Sequence, residues 1–142
     1  MAGKKPARHH RSGCPLNASV EMLGDRWSLL IIRDMMLSGY RSFNQFLRSY
    51  ERIATNVLAD RLRRLEKYAI VASAPDPADG RKRIYSLTPK GLGLAPVLTE
   101  MVLWAAAFED TGNQPLVRRI RKNKQKFLDD VLSHCATAAS KT

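Results

Sequence analysis

"ATNVLADRLRRLEKYAIVASAPDPADGRKRIYSLT", residues 54–88, holds the two elements that decide the fold. Its first half reads as a helix over about residues 55–68. At 100° per residue, Ala54, Leu58, Leu62, Leu65 and Ala69 gather on one side, while Asn56, Ala59, Asp60, Arg63 and Lys67 gather opposite, with Thr55 at the edge. One face packs and the other is free. The free face is small and polar near the N-terminus and cationic further along. Small side chains permit close approach to a duplex and arginine bonds guanine bidentately, so this face suits the major groove. Thr55, Asn56, Ala59, Asp60, Arg63, Arg64 and Lys67 are the candidate DNA-reading residues.

The second half predicts two strands, over 71–74 and 83–87, joined by a loop rich in breakers. Pro75 and Pro77 stiffen one side of that loop and Asp79-Gly80 supplies the turn. Arg81, Lys82 and Arg83 are thereby presented at or near its tip. A flexible loop would lose entropy on meeting DNA, whereas a stiff hairpin holds its cations ready for phosphates or a minor groove.

Working outward, Pro15 and Gly24 bracket a short first helix, and Asp25 caps a second that ends at Gly39. Trp27, Leu30, Ile31 and Met35 share one face of it and are core candidates. Ser42 opens a third, short helix around Phe43, Phe46 and Leu47. Downstream, Thr88-Pro89 opens a long helix to about residue 110, with a bend expected at Pro96. A last helix over 116–134 has apolar positions at 116, 120, 127 and 131 and a basic remainder. Helices followed by a basic hairpin give the order of a winged helix-turn-helix: mainly α with one small β-hairpin. The domain division is a flexible basic arm over 1–13, a DNA-binding and dimerisation domain over 14–112, and a basic helix and tail over 113–142.

Composition agrees with a polyanionic partner. The chain of 142 residues carries 24 Lys plus Arg against 13 Asp plus Glu, a formal charge of +11. No secretory signal is read at the start, where charge is not followed by an apolar run, and a cytoplasmic protein is expected. The most apolar stretch, 92–108, is interrupted by Thr99 and Glu100 and follows Lys90, which argues against a membrane span or membrane partner. Cys14 and Cys135 are too few for a disulfide framework or a zinc site, and His9-His10 reads as polar tail, so neither a metal nor a cofactor is expected. No Gly-rich phosphate loop or activated nucleophile points to an enzyme, and no catalytic residue is assigned. Asp34, Asp60 and Glu66 read as surface groups or ion-pair partners. A winged helix can also dock RNA or protein, and that reading stands as the alternative.

These residues resemble the HxlR family of bacterial and archaeal transcription regulators, relatives of the MarR family. The resemblance rests on Cys14-Pro15, Gly24 with Trp27, Arg33-Asp34, Phe43-Asn44, Leu58, Leu62, Leu65-Glu66, Leu87-Thr88, Gly91, Pro96-Val97-Leu98 and Trp104, and covers about residues 14–110. It implies a homodimer formed through the first and long C-terminal helices, each protomer placing its fourth helix in a major groove with the wing beside it. The stripe Val97, Met101, Trp104 and Phe108 is then the dimer interface. A near-palindromic operator of double-stranded DNA follows from two such helices. In several members a cysteine at the position of Cys14 senses oxidants or electrophiles, which makes Cys14 the redox-sensing candidate; any small-molecule effector is unknown. The chain departs from the pattern at four places. Ala54 replaces a capping Ser or Thr, Ala69 replaces a Gly after the fourth helix, Glu51-Arg52 stands where many members have Pro-Gly, and the wing follows the MarR pattern, with Asp79 bracing Arg81.

Overall fold

Pro15 has no N–H to leave unsatisfied, and it takes the first turn of α1 (Pro15–Leu23) in the computed structural model. The structure describes residues 10–140, so Arg8, His9 and the rest of the first nine residues of the expected arm lie outside the described residues. Asp25 starts α2 (Ser28–Leu37) by accepting from the N–H groups of Trp27 at 2.7 Å and Ser28 at 2.9 Å. Ser42 and Gln45 form a reciprocal capping box on α3 (Phe43–Phe46). Then come α4 (Thr55–Lys67), the hairpin β1 (Val71–Pro75) and β2 (Arg83–Leu87), and α5 (Pro89–Leu92) capped by Thr88. The chain continues through α6 (Ala95–Phe108), α7 (Gln114–Lys122) and α8 (Lys124–Ser140).

Two expected helices are each divided. The long helix over 88–110 is interrupted at Gly93 and Leu94, giving α5 and α6. Pro96 consequently falls in the first turn of α6, where its missing N–H costs nothing, and it does not bend the middle of a helix. The last helix breaks at Asn123, whose φ of −161° and ψ of 94° are extended. The Asn123 side chain accepts from the N–H of Lys126 at 3.0 Å and so caps α8. Apolar spacing continues across this break, which is why periodicity alone predicts one helix.

The core forms where α2 meets α4 and the C-terminal helices. Ile31, Ile32, Met35 and Met36 of α2 pack with Phe46, Leu58, Leu62 and Leu65, and with Ile120, Phe127 and Val131. Trp27 and Leu30, expected inside, are half-buried. Gly91 permits the hairpin to sit on α5: a Cβ there would lie 2.2 Å from the Ile70 carbonyl oxygen. The hairpin is antiparallel, Val71 opposite Leu87 and Pro75 opposite Arg83. Its β2 edge is tied to the chain before α3, because the Tyr85 N–H donates to the Arg41 carbonyl at 2.8 Å. That bond fixes the wing to the helical body.

Candidate nucleic-acid interface

α4 is held by its buried leucines, by one ion pair to the cap of α2 and by one hydrogen bond to the backbone of α1. Leu58, Leu62 and Leu65 are almost wholly buried. Arg61, which points off the packing face, donates to Asp25 at 3.1 Å and also to Asp60. Asp25 thus caps one helix and anchors another, and hydrogen bonds from Ser28 and Trp27 outweigh its partial burial to hold its carboxyl below the usual value. Arg64 turns toward α1, donating its Nη2 to the Glu21 carbonyl. It braces α4 against α1 and does not join the free face.

The remaining reading candidates stand where the sequence placed them. Thr55, Asn56, Asp60, Arg63 and Lys67 are exposed and Ala59 is half-buried among them. Arg63 lies 3.8 Å from Asp60, too far for a firm bond, so its guanidinium is available to a ligand. No side chain caps the start of α4, where Ala54 occupies the cap position, and Arg64 and Lys67 sit at the favourable negative end of the helix dipole.

In the wing, the backbone closes the loop: Asp76 N–H donates to the Lys82 carbonyl at 2.8 Å and Lys82 N–H to the Asp79 carbonyl at 2.9 Å. Asp79 accepts from both the N–H of Arg81 at 3.1 Å and its Nε at 3.2 Å. These bonds lower the Asp79 carboxyl from its ordinary value and aim Arg81 outward. Arg81 and Lys82 are exposed at the tip. Arg83 lies along the strand instead, its Nε donating to the Ser73 hydroxyl at 2.8 Å. The wing and α3 enclose a groove lined by Phe43, Asn44, Arg81 and Lys82.

Away from this basic surface, α6 presents Val97, Met101, Trp104 and Phe108 to solvent, with Trp104 67% and Phe108 75% exposed. Leu16 and Val20 of α1 are exposed apolar residues as well. Residues 89–108 are long and apolar enough in composition to cross a membrane. That stretch is broken at Gly93 and Leu94, and its Glu100 pairs with Lys124 at 2.6 Å. Cys14 is exposed at the cap position of α1, and Cys135 is half-buried with its thiol pushed up by burial. His10 and Arg11 fold back onto Glu21, with His10 Nδ1 2.6 Å from its carboxylate. The Asp25–Arg61 tie and the turn of Arg64 escaped sequence reasoning. An aspartate at a cap and an arginine beside the packing face are the only signals in the sequence for such a tie.

An amphipathic α4 with one open face, a basic wing tied by backbone to the chain before α3, and a helical body define a winged helix-turn-helix protein. The sequence matches the HxlR-like helix-turn-helix family over residues 22–113, and the chain belongs to that family. It is 36% identical over 101 residues to the HTH-type transcriptional regulator YodB of Bacillus subtilis (strain 168), spanning 70% of this chain and 89% of that protein. It is 30% identical over 129 residues to the uncharacterized HTH-type transcriptional regulator Rv3095 of Mycobacterium tuberculosis (strain ATCC 25618 / H37Rv), across 89% of this chain and 80% of that one. Among solved structures, the reduced form of YodB superposes with a TM-score of 0.57 at 36% identity, covering 72% of this chain and all of that one. The redox regulator HypR in its oxidized form gives a TM-score of 0.60 at 29% identity, covering 69% and 100%.

Proposed function

We propose that this DNA-binding transcriptional regulator acts in the cytoplasm as a homodimer on a near-palindromic operator, each protomer inserting α4 into a major groove and resting its wing on the flanking backbone or minor groove. The observation that carries this reading is a division of surfaces: the open face of α4 and the wing tip are basic, while α6 leaves an apolar stripe uncovered. A symmetric pair buries the stripe and sets two reading helices about one helical turn apart. Binding of the full-length protein to inverted-repeat duplex from its own upstream DNA, against random duplex and RNA, tests it. Preference for the inverted repeat supports the reading, and equal affinity for RNA overturns it in favour of an RNA-docking winged helix.

Redox input through Cys14 is a second part of the proposal. Similar solved structures include the reduced form of YodB and the redox regulator HypR in its oxidized form. Cys14 is exposed at the start of α1, a helix on the proposed dimer face, so modifying its thiol would alter the separation of the reading helices. Operator binding is measured before and after diamide or a quinone, in Cys14→Ser and Cys135→Ser. A response lost only in Cys14→Ser supports the assignment, and a response that survives in that variant refutes it.

A further inference from the structure

The turn between α3 and α4 carries side chains that neither the reading face nor the wing uses. Arg48, Tyr50 and Arg52 line a shallow groove there with Leu47 and Ser49. Tyr50 is 95% exposed, an unusual position for an aromatic ring, and both arginines are exposed. None of the three side chains has a hydrogen bond or ion pair among the described residues.

Arg52 is held in a conformation that its own chemistry disfavours. Its φ of 57° lies in the left-handed region, where a Cβ crowds the following carbonyl and glycine is the unstrained choice. The turn is nevertheless firmly built. Glu51 accepts from Arg33 Nη1 at 2.6 Å and Nη2 at 2.7 Å, and from the Ser49 hydroxyl at 3.0 Å. Asp34 binds the same guanidinium at 2.8 Å, and the Arg52 N–H donates to the Ser49 carbonyl at 3.0 Å. Arg33 therefore has its charge matched by two carboxylates, whereas Arg48 and Arg52 have no such match. Strain retained at a cation with no partner among the described residues directs attention to a partner outside them.

We propose that this turn is a phosphate clamp, in which Arg48, Arg52 and Tyr50 grip the DNA backbone beside the groove entered by α4. Guanidinium groups bond phosphate oxygens with two parallel N–H donors, and the phenol hydroxyl supplies another donor. Such contacts set the register and orientation of the protein without reading bases. The clamp rests on the DNA-binding reading of α4 and the wing. It adds a third point of attachment on the opposite end of the helix-turn-helix from Lys67.

The test is duplex affinity of the full-length protein across a salt series, with Arg52→Gly, Arg48→Ala and Tyr50→Phe, and with Arg118→Ala on α7 as a control for lost charge. Each lost phosphate contact removes about 0.9 from the slope of log affinity against log salt, so Arg52→Gly in a dimer is expected to flatten it by about 2. The same variant should raise the thermal midpoint, because glycine relieves the strain, while weakening operator and random duplex by equal factors. Arg48→Ala, which alters no strained backbone, should flatten the slope likewise, and Arg118→Ala should leave it unchanged. Slopes at the unmodified value in both Arg52→Gly and Arg48→Ala, or matching Arg118→Ala, overturn the clamp. If Arg81→Ala flattens the slope and these variants do not, only the clamp is wrong. If the unmodified protein shows no salt-dependent duplex binding, the DNA-binding reading fails and takes the clamp with it.

Discussion

Ala69 leaves α4 at a φ of 56°, and the N–H of Ile70 reaches back to the Leu65 carbonyl at 3.0 Å. This is a left-handed helix terminus, a place where glycine avoids the crowding of a Cβ. Ala69→Gly is accordingly expected to stabilise the fold by about 1 kcal/mol, read as a higher midpoint in urea at unchanged slope. Glu51 gives the residue scale its pH dependence. Hydrogen bonds from Arg33, larger in effect than its partial burial, bring its carboxyl down from 4.5 to about 2. A carboxylate with a depressed folded-state value stabilises the fold above its unfolded value and loses that contribution on acidification. Stability from this ion pair is thus present above pH 4.5 and is lost as the pH falls toward about 2. Glu51→Gln should be less stable than the unmodified protein at pH 7, with the difference narrowing across that window in chemical denaturation. No narrowing would mean that Arg33 and Glu51 do not pair in solution.

The elements themselves separate an open cation from engaged ones. Arg63 projects from the free face of α4, whereas Arg61 and Arg64 are engaged with Asp25 and Glu21. Arg63→Ala is expected to cost about 1 to 3 kcal/mol on the operator and to relax base preference. Arg81→Ala should weaken operator and random duplex evenly and reduce salt dependence. Equal loss for Arg63→Ala on both duplexes would refute its reading role. The amphipathic wheel of α4 and the Pro, Asp and Gly of the wing were legible because local chemistry decides them. Element ends were less so: Pro96 signals a helix start as readily as a bend, and Asn123 caps α8 inside an unbroken apolar rhythm. The direction of Arg64 was not legible, since the wheel assigns angles and the Glu21 carbonyl that captures its guanidinium comes from a distant part of the chain.

At the scale of the molecule, the segment beyond the family match is joined to the common core. Ile120, Phe127 and Val131 are buried against α2, and the Arg119 guanidinium stacks over Phe127 with 5.1 Å to the ring centre. Phe127→Ala should cost about 3 to 5 kcal/mol in global stability, and a much smaller loss in calorimetry would mean that α8 is not docked in solution. The opposite argument holds for Trp104. It is 67% exposed and touches Phe108 on its own helix, with ring centres 6.3 Å apart, so removing it leaves the protomer's core intact. A stripe of Val97, Met101, Trp104 and Phe108 facing water is costly for a lone chain and favourable between two. Trp104→Glu places a charge in the middle of that stripe, where a symmetric contact would bring two carboxylates together without compensation. The variant is expected to keep the circular dichroism and thermal midpoint of a folded protomer, sediment as a monomer at micromolar concentration, and lose its preference for inverted-repeat over half-site duplex. A Trp104→Glu protein that still sediments as a dimer would place the interface on another face, and with it the spacing of the two α4 helices.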